Sequence, residues 1–158
     1  MPRSFIMLSS VVGIVFLCPG CSRAEEAFQV IEMCVVDQRG VAELKSVMRS
    51  VAQSENLKFI DNSAQQGSDL KAMGADKLLK RDASFAIDLH IEGKGGMGVT
   101  AGNLGLPPYQ VALGFTEGSN AAKAHRLKDR LIHALSQRWH VEKVSQRRGA
   151  LPMKTCRG

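Results

Sequence analysis

The fold this sequence predicts is a single α/β domain, an α+β arrangement with a mixed sheet of about five strands and two long helices on one of its faces. Three observations carry that expectation. Phe85, Ile87, Leu89 and Ile91 alternate with Ala86, Asp88, His90 and Glu92, and Tyr109, Val111, Leu113 and Phe115 alternate with Gln110, Ala112, Gly114 and Thr116. That period of two is the mark of a half-buried strand. Val41, Leu44, Val47, Met48 and Val51 instead recur at three and four residues, as do Ala124, Leu127, Leu131, Leu135 and Trp139, which is the stripe of an amphipathic helix. A chain that is 44% hydrophobic and 23% charged belongs with globular domains rather than disordered ones.

The chain begins with an export segment. Arg3 precedes an almost wholly apolar run, Phe5 to Leu17. Thirteen helical residues rise about 20 Å, short of a bilayer core of about 30 Å. A basic start, a short apolar core and small residues after it predict a signal peptide. Leu17-Cys18-Pro19-Gly20-Cys21 resembles the lipobox of bacterial lipoproteins, with Gly20 at the small position before the cysteine. The resemblance implies acylation, palmitate included, at Cys21 and a membrane anchor facing the periplasm, with each buried methylene supplying about 0.8 kcal/mol. Ser22-Arg23-Ala24 offers a second cleavage site, which would release a soluble periplasmic protein. The expected divisions are a signal peptide at 1–20, a lipidated linker at 21–26, the α/β domain at 27–146 and a basic tail at 147–158.

Within the domain, Ala27 to Val36 reads as a buried first strand and Asp37 to Gly40 as a turn into the first long helix. Ser54 to Asn56 closes that helix, and Leu57 to Ile60 forms a short second strand. Ala64 to Gly67 reads as loop, with Ser68 capping a short helix through Leu70, Met73, Leu78 and Leu79. The strands at 84–92 and 109–116 are expected to pair with each other, antiparallel, across a Gly-rich connection. Glu117 to Asn120 is a turn and cap for the second long helix, and His140 to Val144 is a last strand. This order suits a ferredoxin-like sheet with an extra strand. Met73-Gly74-Ala75-Asp76-Lys77-Leu78-Leu79 and Ala124-His125-Arg126-Leu127-Lys128-Asp129 resemble segments of the N-terminal domain of TolB and related envelope lipoproteins, which implies an α/β binding module and no particular functional residue.

With Cys18 in the signal and Cys21 acylated, Cys34 and Cys156 remain. In an oxidising compartment such a pair is expected to bridge, a buried or a free thiol being the alternatives. A bridge closing more than a hundred residues contributes about 4 to 5 kcal/mol by chain entropy before strain. Two distant cysteines do not make a zinc site.

Charge is uneven. From Ser119 onward ten Lys and Arg face two acidic residues, which makes that part a candidate contact for an acidic protein or anionic lipid, or simply a solvated helix face. Export argues against nucleic acid.

Gly93 to Pro108 is the most suggestive stretch. Gly93-Lys94-Gly95-Gly96-Met97-Gly98 resembles the deviant phosphate loop of MinD-type ATPases, but Val99 stands where that loop requires lysine, and Pro107 and Pro108 bar a following helix. Nucleotide binding is therefore not expected. Long connections are often functional, so a mobile loop is expected to present Lys94, Met97, Val99, Leu104 and Leu106 to a partner, and deleting 94–105 is expected to spare folding. Asp88, His90 and Glu92 share a strand face that reads as solvated rather than metal-binding. His125 and His133 suit a basic surface. There is no GxSxG elbow. No catalytic residue, metal or cofactor is expected. The leading expectation is a non-enzymatic periplasmic lipoprotein that binds an envelope protein, either as an immunity-type inhibitor of a toxic effector or as an accessory subunit of assembly or secretion. A small envelope hydrolase is the third possibility, and it requires a side-chain cluster converging in a cleft.

Overall fold

The computed structural model describes residues 26–75, 86–103, 106, 109–144, 153 and 156. Among these residues six strands and three α-helices follow one another as β1 (Gln29–Cys34), α1 (Gln38–Ser54), β2 (Lys58–Asp61), α2 (Ser63–Ala72), β3 (Asp88–Glu92), β4 (Gly98–Gly102), β5 (Gln110–Thr116), α3 (Ala121–Ser136) and β6 (Val141–Val144). They form one α/β domain around a single six-stranded sheet, in the order β2-β3-β4-β5-β1-β6.

Every strand pairing is antiparallel, where a mixed sheet was expected. The reason is topological. β5 and β6 run in the same direction, but β1 lies between them and pairs antiparallel with both. The unit β5-α3-β6 is thus a split β-α-β. Beyond it the sheet departs from a ferredoxin-like plan with one added strand, because both β3 and β4 stand between β5 and β2.

Local sequence explains the helices. Asp37 caps α1, its carboxylate accepting from the Gly40 amide at 2.8 Å. Asn56, at φ 52°, turns the chain out of α1, and the Leu57 amide returns to the Ala52 carbonyl at 2.8 Å. Asn120 caps α3 by accepting from the Lys123 amide at 3.0 Å. α2 starts at Ser63, five residues before the expected Ser68 cap, so 64–67 is helical rather than loop. It buries only Ser63 and Gly67, and so carries no apolar stripe to announce it. The Asp61 carboxylate caps its start, accepting from the Ser63 amide at 3.0 Å.

α1 lies over β2 and β3, α3 over β5 and β6, and the two helices touch. Leu44, Met48, Leu127, Leu131 and Leu135 meet a sheet face whose register places Leu89, Ala101, Leu113 and Ile31 in one row and Ile91, Val99 and Phe115 in the next. These side chains are at most 2% exposed. The two-long-helix, one-face arrangement predicted from the periodicity is present. On the second face the corresponding rows are His90, Thr100, Gly114 and Val30, and Asp88, Gly102, Ala112 and Glu32.

Candidate functional site

The stretch expected to be a mobile loop holds a strand of the sheet. Gly98 to Gly102 is β4, paired with β3 on one side and β5 on the other. The strands at 84–92 and 109–116 are therefore not neighbours. Met97 is 3%, Val99 2% and Leu106 3% exposed, so none of the three is presented to a partner. Val99 points into the core because it alternates with Thr100 on the second face. Leu104 lies outside the described residues, and of the five only Lys94 is seen exposed.

The glycines of this stretch serve packing. Gly93 to Met97 is a tight turn with one short 3-10 helix, Lys94–Gly96, in which Gly95 has φ 71°. The turn rests on the connection before α3. There the Ser119 amide donates to the Gly95 carbonyl at 2.8 Å, and Gly118, at φ 56°, leaves no room for a β-carbon beside Met97 and Gly95.

On the second face, His90 Nε2 lies 2.8 Å from Asp88 Oδ1, and Thr100 Oγ1 lies 3.4 Å from His90 Nδ1. His90 and Thr100 also line a shallow cleft of about 270 Å³. The file of hydroxyl, imidazole and carboxylate has the order of a hydrolytic triad. Both edges of β4 are committed to strand pairing, so the Thr100 backbone offers no spare amide to a developing oxyanion. Glu92 stays exposed, and no group of three or more His, Cys, Asp or Glu able to hold a metal occurs among the described residues.

At the far end of the second face lie Met153 and Cys156, the two described residues beyond 144. A disulfide joins Cys34 of β1 to Cys156, with Cα atoms 5.4 Å apart across a separation of 122 residues. The Met153 amide donates to Gln110 Oε1 at 2.9 Å, and Gln110 Nε2 donates to Glu32 at 3.1 Å. Glu32 is 3% and Gln110 0% exposed, so this side-chain chain satisfies polar groups under the tail. Sequence reasoning found the two cysteines but missed Gln110 and Glu32, which look there like ordinary outward positions of alternating strands.

Three cations of the basic C-terminal part meet carboxylates. Arg138 meets Glu43 at 2.7 Å and Arg130 meets Glu55 at 2.9 Å, both across to α1. Lys128 pairs with Asp129 at 3.1 Å, and His125 with Glu117 at 3.0 Å. His125 also stacks on Phe28, ring centroids 4.6 Å apart.

At the opposite end of the sheet from the tail, a cleft of about 540 Å³ lies between the start of β2, the turn after β3 and the first turn of α3. Lys58, Lys94 and Lys123 line it, with Glu92 as its one carboxylate and Leu57 and Met97 as apolar wall. Periodicity could not bring these lysines together, since 65 residues of sequence separate the first from the last.

No protein-family model, no curated protein and no solved structure matches this chain. The lipobox with Cys21 and the residues 76–79 of the first TolB-like phrase lie outside the described residues, while the second phrase, Ala124 to Asp129, is part of α3. No helix among the described residues is long and apolar enough to cross a membrane.

Proposed function

We propose that this chain is a non-enzymatic binding protein of the bacterial envelope, anchored to the membrane through Cys21 and facing the periplasm, and that it holds a protein partner on the second face of its sheet. The observation that carries this reading is the asymmetry of the sheet. Helices cover one face, while the middle of the other bears Thr100, Gly102, Ala112 and Gly114, small residues that leave backbone and side chains within reach of a partner. Two further facts support it. The Cys34–Cys156 disulfide suits an oxidising compartment. Arg130 and Arg138 are held by Glu55 and Glu43, which makes them less available to a partner.

The small-hydrolase alternative has the Thr100, His90 and Asp88 file in its favour. The commitment of both edges of β4 to strand pairing weighs against it.

The test is capture from detergent-solubilised envelope with wild type and Thr100→Arg, which sets a long cation in the centre of the second face. The expected result is an anchored, disulfide-bonded protein whose partner is lost in the variant while its melting temperature stays within about 2 °C. Equal capture by both would remove the second face from the account. Recovery of the unprocessed, reduced chain from the cytosol would remove the envelope reading as a whole. The partner's identity separates the two versions: a secreted hydrolase means inhibition, and a secretion, pilus or lipid-transport component means assembly.

A further inference from the structure

We infer that the cleft between β2, the turn after β3 and the start of α3 is a binding site for a phosphate-bearing anion. Three lysines from three separate elements converge on it: Lys58 opens β2, Lys94 sits in the 3-10 turn and Lys123 lies in the first turn of α3. Some cations of the domain find carboxylates, as Lys45 does with Asp61 at 2.9 Å and Arg130 and Arg138 do with Glu55 and Glu43. Lys58, Lys94 and Lys123 form no ion pair among the described residues. With Glu92 as the one carboxylate of the lining, the cleft carries two uncompensated positive charges.

The remaining lining fits the same ligand. Asn56 and Asn120 add amide groups, and because Asn120 Oδ1 is already occupied by the Lys123 amide, its nitrogen is the end left to donate. The N-terminus of α3 adds its partial positive charge at the same place. Leu57 and Met97 give the cleft an apolar wall, so a phosphate joined to a less polar body fits better than a bare ion. A volume of about 540 Å³ lies in the range of small-molecule sites. Lysine meets phosphate as a compact point charge, and three of them around a hollow match a group carrying two negative charges. Of the 93–98 turn, Gly93, Lys94 and Met97 line the cleft.

The phosphate can belong to a soluble ester or to a lipid headgroup, and two arms of one experiment separate these. The full chain is titrated with inorganic pyrophosphate by calorimetry at low ionic strength, and floated with phosphatidylglycerol vesicles against phosphatidylcholine vesicles. Each is repeated with Lys58→Gln/Lys94→Gln/Lys123→Gln and with a control, Arg39→Gln/Arg126→Gln/Lys143→Gln, which removes the same charge from exposed sites elsewhere. The cleft variant is expected to bind about tenfold more weakly or worse, the control to stay within about twofold, and both to melt like wild type. Selective loss in the pyrophosphate arm assigns a soluble phosphate ester, and selective loss in the vesicle arm assigns a headgroup. Equal loss in the two variants, or binding of neither probe by wild type, overturns the site.

Discussion

Asp61 shows how one side chain serves two elements. Its carboxylate ends β2, caps α2 through the Ser63 amide and accepts from Lys45 of α1 at 2.9 Å. Partial burial pushes its pKa up, but the hydrogen bonds from Ser63 and Lys45 and the charge of Lys45 outweigh that and hold it below its ordinary value of 3.8. The sign follows from the depressed value: the ionised form is favoured by folding, so its stabilisation is present above pH 3.8 and is lost as pH falls through the lowered folded value. Asp61→Ala should therefore cost about 1 kcal/mol near neutral pH, as loss of a helix cap does. The gap to wild type should close in acid, and urea melts of both proteins between pH 2 and pH 7 check it. A cap of this local kind was legible at Asn120, which acts within three residues of its own position; Asp37 read only as the start of a turn, though it caps α1 in the same way. Gln110 and Glu32 were not legible. Their burial depends on a tail that comes to rest more than forty residues further along.

At the scale of elements, β4 is the instructive strand. Gly98, Gly102 and the surrounding glycines read as loop, and only Val99 and Ala101 supply an alternating signal, too short to stand out. The sheet supplies what the local pattern lacks. β4 is flanked on both sides, so small residues are tolerated where neighbouring strands close over them. Deleting 94–105 removes a strand from the interior of the sheet, and the expected outcome is a chain without a cooperative melt. A single change makes the same point: Val99→Asp would bury an unpaired carboxylate beside Ile91 and Phe115. It should cost more than about 4 kcal/mol by chemical denaturation, against less than about 0.5 kcal/mol for Thr100→Ser on the other face. A mobile loop at 94–105 would leave both variants near wild type. The long helices needed no such help, because a stripe of four or five apolar residues at helical spacing defines its own buried side.

For the molecule as a whole, the disulfide ties the first strand to the last residues. Cross-linking positions 122 residues apart restricts the unfolded chain, and a native bridge of this kind typically contributes about 2 to 5 kcal/mol. Cys156→Ser should lower the urea midpoint accordingly, and reduction of wild type should lower it by a similar amount. An unchanged midpoint would mean that the unfolded chain is already compact without the bridge. The same variant should loosen Met153 from Gln110, visible as faster amide exchange at Met153 than in β3 or β4.

Read alone, the sequence determined the α/β class, the two long helices with their buried stripes, the strands observed at Asp88–Glu92 and Gln110–Thr116, and the two cysteines available to pair. All of these rest on periodicity or composition, which neighbouring residues carry between them. Tertiary structure decided that every pairing is antiparallel, that β4 exists and buries Met97, Val99 and Leu106 rather than presenting them, that Gln110 and Glu32 lie under the tail, and that Lys58, Lys94 and Lys123 share one cleft. Those outcomes depend on which distant segments meet, as β1 does in lying between β5 and β6, and no local run of residues encodes that.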